Sequence, residues 1–353
     1  MANIMFLSNN YFDYTDLTCW ESWVKELMKT NHLEFWGYDF PEYEDFLTLE
    51  QIIKRRFGDI KPDYIFQFQQ AGKMLGVQNV DIPKIFIFSE GDFMYDAAGW
   101  ADYWNERKFD LIIVRVWSSQ SYKWRIQLKN AGYELPPNMN NNFLEYDPVV
   151  KMTEKTNCPV LPLPHCIDPT MFKDYGLPKK YDVCMIGRRT HHYPVRIRGI
   201  EIIESEEYKN KYNSLFSVGL GYRIGWMGTP ERDEMRTMGH YWGDEYAQKL
   251  NESRISITDG SVLNIAVPKY FEVPACNSVL MAPYPDNYER LHFEDGVNMV
   301  NVNTDNLKDK LNYYLENESE CKKVARNGME MINKYHTAEV RMKELYKIME
   351  EYL

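Results

Sequence analysis

No stretch of 18 or more apolar residues occurs in the chain, so no membrane-spanning helix is expected. The opening MANIMFLSNN has no basic region running into a long apolar segment and a small-residue cleavage site. A secretory leader is therefore not expected. The six cysteines, Cys19, Cys158, Cys166, Cys184, Cys276 and Cys321, form no CxxC pair and no zinc spacing. They read as free, buried thiols in a reducing compartment, and a cytoplasmic location is expected. There is no GxxxxGKS/T phosphate loop and no GxSxG elbow. Gly219-Leu220-Gly221 precedes an expected strand instead of following one, and it lacks the GxGxxG spacing of a dinucleotide site. His191-His192 has no companion ligands at a recognised spacing, so no metal is expected. Internal repeats and low-complexity tracts are also missing.

What is present is enough for a large core. The chain has 353 residues, 44% of them hydrophobic, which favours two domains over one. The formal net charge of −11 repels phosphate backbones, so nucleic acid is disfavoured as a partner. Seven tryptophans crowd the first 124 residues: Trp20, Trp23, Trp36, Trp100, Trp104, Trp117 and Trp124. Core packing is the plainer reading of these rings, and a platform for a sugar ring is the sharper one.

Short apolar runs alternate with helical patterns along the chain. Strands are expected at Ile4 to Leu7, Leu33 to Tyr38, Tyr64 to Phe68, Lys84 to Phe88 and Leu111 to Val114, with helices between them. Residues 133–157, with Pro136-Pro137 and an asparagine-rich run, break the rhythm and read as a loop. PVLPLPHCIDPTMF, residues 159–172, reads as a short strand and a connector. The alternation restarts at YDVCMIG. It continues through a helix from Tyr193, strands at Tyr222 to Trp226 and Arg254 to Thr258, and a helix from Pro268 into the strand SVLMA. A short helix near Tyr288 to Leu291, a strand near Val297 to Val302 and helices from Asp305 onward complete it. A break falls at His336-Thr337, with Thr337 a plausible N-cap. This is an α/β chain with two Rossmann-like halves.

Open parallel sheets bind ligands beyond the carboxyl ends of their strands. That rule singles out Asn9 and Asn10, Gln70, Glu90 and Asp92, Gly187 with Arg188 and Arg189, and Asp259, Gly260 and Ser261. It also singles out Pro268, Lys269 and Glu272 in PKYFEVPACNSVLMA. Pro268 suits a first helical position, and the backbone amides of a first turn attract phosphate. Lys269 adds a full charge there. Glu272, one turn along, can accept from both hydroxyls of a ribose. Arginines after Gly187 match phosphate geometry. The bland alternative is an i,i+3 ion pair worth a few tenths of a kcal/mol.

From about Tyr181 to Lys347 the chain resembles the C-terminal domain of GT-B glycosyltransferases, and it is most similar to the CgeB-like group related to glycosyltransferase families 1 and 4. The features carrying the resemblance are the strand with Asp182 and Gly187, then PKYFEVPACNSVLMA, then LHFEDGVNMV, and the final helices with His336, Thr337 and Arg341. The resemblance implies a GT-B fold, two Rossmann-like domains with parallel sheets facing across a cleft. Residues 1–172 would be the acceptor domain and 173–336 the nucleotide-sugar domain, with 337–353 a final helix packing back on the first. It implies Glu272 on the donor ribose and a basic residue at Lys269. The paired-glutamate motif has Asn264 at its first position here, and Asn277 stands where glycine is frequent. The expected activity is transfer of a sugar from a nucleoside diphosphate sugar to an acceptor. No metal or other cofactor is expected, because fixed charges on Lys269, Arg188 or Arg189 and the helix start would stabilise the leaving diphosphate. An inverting reaction needs a base, for which Glu90, Asp92 and then His165 are the candidates. Asn9, Asn10 and Gln70 fall to the acceptor. A DNA-modifying glycosyltransferase, a GT-B nucleotide-sugar epimerase and a non-catalytic two-domain binding protein stand as alternatives. Nucleobase, sugar, acceptor, stereochemistry and oligomeric state stay open.

Overall fold

The computed structural model describes residues 1–8, 18–37, 40, 42–68, 74–88, 97–115, 154–187, 189, 193–217, 241, 243–261, 264–286 and 288–353. Two compact units divide the chain. One contains β1 (Asn3–Leu7) and the chain from Trp23 to Pro164, and it takes back Arg341–Leu353. The other holds His165–Val340.

Among the described residues the first unit has six parallel strands. After β1 come β2 (His32–Trp36), β3 (Tyr64–Phe68), β4 (Lys84–Phe88), β5 (Leu111–Val114) and β6 (Val160–Pro162). They lie in the order β2-β1-β3-β4-β5-β6. Every residue of β4 and β5 is buried, as their nearly continuous apolar runs suggest for a parallel sheet covered on both faces. Among the helices are α1 (Thr18–Met28), of which Trp23–Met28 belong to this unit, α2 (Leu49–Phe57) and α3 (Ala97–Arg107). Thr48 starts α2 with a reciprocal cap: its Oγ1 accepts from the Gln51 amide at 3.3 Å and Gln51 Oε1 accepts from the Thr48 amide at 2.8 Å. Trp23, Trp36 and Trp104 are fully buried. For these three the core reading holds. Trp117 and Trp124 lie outside the described residues.

The second unit contains β7 (Tyr181–Ile186), β8 (Ser214–Ser217), β9 (Ser253–Ile257), β10 (Val279–Ala282) and β11 (Val300–Asn301), in the order β11-β10-β9-β7-β8. All pairings are parallel. Its helices are α4 (Pro194–Ile203), α5 (Glu206–Lys209), α6 (Gly243–Asn251), α7 (Lys269–Ala275), α8 (Leu307–Glu316), α9 (Glu318–Tyr335) and the start of α10 (Ala338–Tyr352). Sequence reading passes over the strand at Ser214–Ser217. SLFS is short, alternating and half exposed, so no apolar run announces it. The stretch Tyr222 to Trp226 lies outside the described residues. Tyr288 to Leu291 form turns instead of the expected helix, and the strand expected at Val297 to Val302 contracts to Val300–Asn301.

The connector after β6 is held by the break between α9 and α10. The Ile167 amide donates to His336 O at 3.0 Å and the Ala338 amide to Ile167 O at 2.9 Å. Thr337 Oγ1 accepts from the Val340 amide at 3.3 Å, the bond of an N-cap. His336 is buried, with Nε2 2.9 Å from Leu291 O and its ring against Phe271. Five cysteines among the described side chains are free thiols, four of them buried. No helix among the described residues is long and apolar enough to cross a membrane.

Candidate functional site

In the second sheet the chain passes from β7 to β8 on one side, then returns to β9 on the other. The carboxyl ends of β7 and β9 therefore sit at a topological switch point, the place where open α/β sheets form a ligand crevice. Gly187 follows β7, and Thr258-Asp259-Gly260-Ser261 follow β9.

Asp259 is 1% exposed. Its Oδ2 accepts from the amides of Val195 at 2.9 Å and Arg196 at 3.2 Å, and its Oδ1 from the Ser261 amide at 2.7 Å. Tyr193, at the N-cap of α4, offers no side-chain cap of its own. Asp259 thus caps α4 from another element. Burial pushes its carboxyl above the ordinary range, while Arg196 and the three amides pull it back down.

Arg196 is buried, at 6% exposure. Its Nη2 donates to Thr258 Oγ1 at 3.0 Å and to Asp259 O at 3.4 Å, and its guanidinium lies 4.0 Å from the Tyr193 ring centroid. Its Nε is buried without a hydrogen-bond partner. Gly187, at φ +147°, puts no side chain of its own before this guanidinium. A methyl group there would meet Arg196 Nη1 at 3.0 Å and Lys269 Cε at 3.6 Å. Two cationic side chains therefore flank one glycine at the switch point.

Lys269 and Glu272, on α7, bracket a third residue. Lys269 Nζ lies 5.4 Å from the Tyr246 ring centroid, and Tyr246 Oη donates to Glu272 Oε2 at 3.0 Å. Glu272 is 6% exposed. Burial, then the Glu272 charge, holds the Tyr246 hydroxyl well above its ordinary pKa, so it stays a donor. One expectation about α7 is corrected. The amides of Phe271 and Glu272 donate to Pro268 O, and that of Tyr270 to Val267 O. These groups are already satisfied, so positive charge at this helix start rests on the Lys269 side chain.

The structure thus brings Gly187, Asp259, Gly260, Ser261, Pro268, Lys269 and Glu272 to one end of the second sheet. Arg189 is exposed. His165 is 1% exposed and packs edge-on to Phe271 at 6.5 Å. Asn9, Asn10, Gln70, Glu90, Asp92 and Arg188 lie outside the described residues. Sequence reading missed Arg196, Tyr246 and Thr258. A signal existed for Arg196, which shares a helical face with Ile200 and Ile203 at i, i+4 and i+7 and so points inward. No local pattern ties Tyr246 to Glu272, 26 positions away.

Gly260 closes the turn after β9, with the Ile265 amide 2.9 Å from Gly260 O. A Cβ here would lie 2.4 Å from Ile265 O, which belongs to the backbone and cannot rotate away. Gly260→Ala is expected to cost about 1–3 kcal/mol of stability, measured as a lower urea midpoint at unchanged slope.

Residues 188–347, somewhat under half the chain, match a family model described as glycosyl transferase-like. No curated protein matches the sequence at a significant level. Several solved structures match nearly the whole chain. Sucrose-phosphate synthase from Thermosynechococcus elongatus does so at 12% identity and TM-score 0.59, over 99% of both chains. An alpha-glucosyltransferase in complex with UDP and a 13-mer DNA containing an HMU base matches at 9% identity and TM-score 0.59, over 98% of both. Anabaena Alr3699/HepE in complex with UDP and glucose matches at 10% identity and TM-score 0.52, over 99% of this chain and 100% of its own. At these identities the likeness establishes the fold. The chain has the GT-B fold, two α/β units each built on a parallel sheet.

Proposed function

We propose that the chain is a glycosyltransferase whose second unit holds a nucleoside diphosphate sugar. The observation that carries this reading is the convergence of Arg196 and Lys269 on Gly187 at the switch point, with Glu272 one turn beyond Lys269. Two cations beside an open glycine suit a diphosphate. A carboxylate that already holds Tyr246 has acceptor capacity left for ribose hydroxyls. The glycosyl transferase-like match over residues 188–347 spans all of these residues except Gly187. Fixed cations stabilise the charge that builds on the leaving diphosphate without recruiting an ion. In an inverting reaction the base would be Glu90 or Asp92, which follow the buried strand β4. A small molecule, glycan or protein is favoured as acceptor over DNA, because the net charge of −11 opposes a nucleic-acid surface.

The test is thermal stabilisation against UDP, GDP, ADP and their sugars, followed by turnover of the best donor in excess EDTA. A diphosphate at 100 times its Kd adds about 2.7 kcal/mol and should raise the melting temperature by a few degrees. Turnover is expected to survive the chelator. A flat panel would sink the donor reading. Activity lost to EDTA and restored by magnesium would sink the metal-independent mechanism alone.

A further inference from the structure

A helix start at the switch point of a Rossmann-like unit is the ordinary seat of a ligand phosphate. In this chain that seat is already taken. The amides at the second and third positions of α4, Val195 and Arg196, both donate to Asp259 Oδ2, at 2.9 and 3.2 Å. Asp259 is buried, but three backbone amides and the Arg196 guanidinium favour its charged form, so its carboxylate is a resident anion where a phosphate would otherwise dock. The same segment fixes the arginine side chain, since Thr258 Oγ1 and Asp259 O accept from Arg196 Nη2. The Tyr193 ring lies against the guanidinium. Of the three nitrogens, Nη1 is the one that faces the space over Gly187.

We propose that Asp259 is a positioning residue that keeps phosphate off the start of α4 and holds Arg196 so that its Nη1 and Lys269 receive the diphosphate from side chains. The proposal rests on the donor reading above and adds to it a residue that acts through another. Asp259 need not touch the ligand, because its carboxylate oxygens are committed to the amides of Val195, Arg196 and Ser261.

Its consequence runs against simple electrostatics. Removing a negative charge near a diphosphate should strengthen binding by Coulomb's law. If Asp259 works by holding Arg196, the isosteric Asp259→Asn should instead weaken it. The amide keeps one acceptor oxygen, but its NH2 group faces an amide donor and the charge beside the guanidinium is gone. A loss of about tenfold or more is expected, the scale of a mispositioned charge-assisted hydrogen bond. Thr258→Val removes only the Nη2 anchor and should lose affinity in the same direction by a smaller factor.

The experiment is calorimetric titration of UDP, GDP, ADP and inorganic pyrophosphate into the wild type, Asp259→Asn, Thr258→Val, Arg196→Ala and the Asp259→Asn/Arg196→Ala double variant. Circular dichroism checks that each is folded. Weaker diphosphate binding by Asp259→Asn, with no further loss in the Arg196→Ala background, is the expected result. Unchanged or tighter binding by folded Asp259→Asn overturns the proposal, as does an equal loss with and without Arg196. Should Asp259→Asn not fold, Thr258→Val and the Thr258→Val/Arg196→Ala double variant decide by the same criteria. A wild type that binds none of the four probes overturns the donor reading and this proposal together. Binding by the wild type with no effect from either variant overturns this proposal alone.

Discussion

Lys269→Ala is expected to lower turnover by about a hundredfold or more, with little loss of stability. Removing one preorganised donor from a developing negative charge costs about 10²–10³ in kcat. Lys269 is one of the two cations that flank Gly187. The side chain is only partly buried, so the stability lost with it should be small by comparison. One of its contacts is the Tyr246 ring at 5.4 Å, an interaction worth about 0.5–1 kcal/mol. Arg196→Ala should lose turnover on the same scale but fold less well, since Arg196 is buried and anchors to Thr258. Lys269→Arg keeps the charge and should recover part of the rate, because guanidinium and ammonium present it differently. Steady-state release of nucleoside diphosphate from the best donor measures all three. A kcat for Lys269→Ala within about threefold of wild type would show that the leaving group is stabilised elsewhere.

Strand positions in the first unit were readable because they are apolar runs buried on both faces. Tyr64–Phe68, Lys84–Phe88 and Leu111–Val114 fall where the runs fall. Ser214–Ser217 was not readable, because its residues alternate between partly exposed and buried and SLFS has little to mark it. Gly187, Asp259 and Gly260 fall just after β7 and β9 as expected, since strand ends are local in sequence. What they could not give was the division of labour. Asp259 looks like a ligand group in sequence and is a helix cap in the fold. Arg196 shows in sequence only that it shares an apolar helical face, and in the fold it is a buried anchor. Both facts depend on contacts spanning more than 60 residues. Asn264 and Asn277 sit at φ +53° and +54°, in the left-handed region; at position 264 asparagine tolerates it better than glutamate does. Asn277 also ties its side chain to Asp174 Oδ2 at 2.8 Å, a bond that glycine could not make.

Glu272→Ala is expected to weaken donor binding by well over tenfold and to lower stability as well. Two hydrogen bonds from a ribose to a carboxylate are worth about 1.5–3 kcal/mol each. The stability loss has a separate origin. Tyr246 is buried and donates to Glu272 Oε2 at 3.0 Å. Alanine leaves that hydroxyl without this acceptor, at a cost of about 1–3 kcal/mol. Tyr246→Phe separates the two effects by removing the hydroxyl and keeping the carboxylate. It should perturb stability on a similar scale while leaving donor affinity within about threefold. Glu272→Gln keeps an acceptor for Tyr246 and loses the charge, so it should fold better than the alanine variant and still bind the donor weakly. Burial and the Glu272 charge keep Tyr246 protonated far above neutrality. No break in donor affinity between about pH 6 and 9 should therefore trace to its ionisation. Urea titrations and calorimetry with the best diphosphate ligand provide both readouts. If Glu272→Ala and Tyr246→Phe lose equal stability and neither changes affinity, the buried carboxylate serves the tyrosine alone.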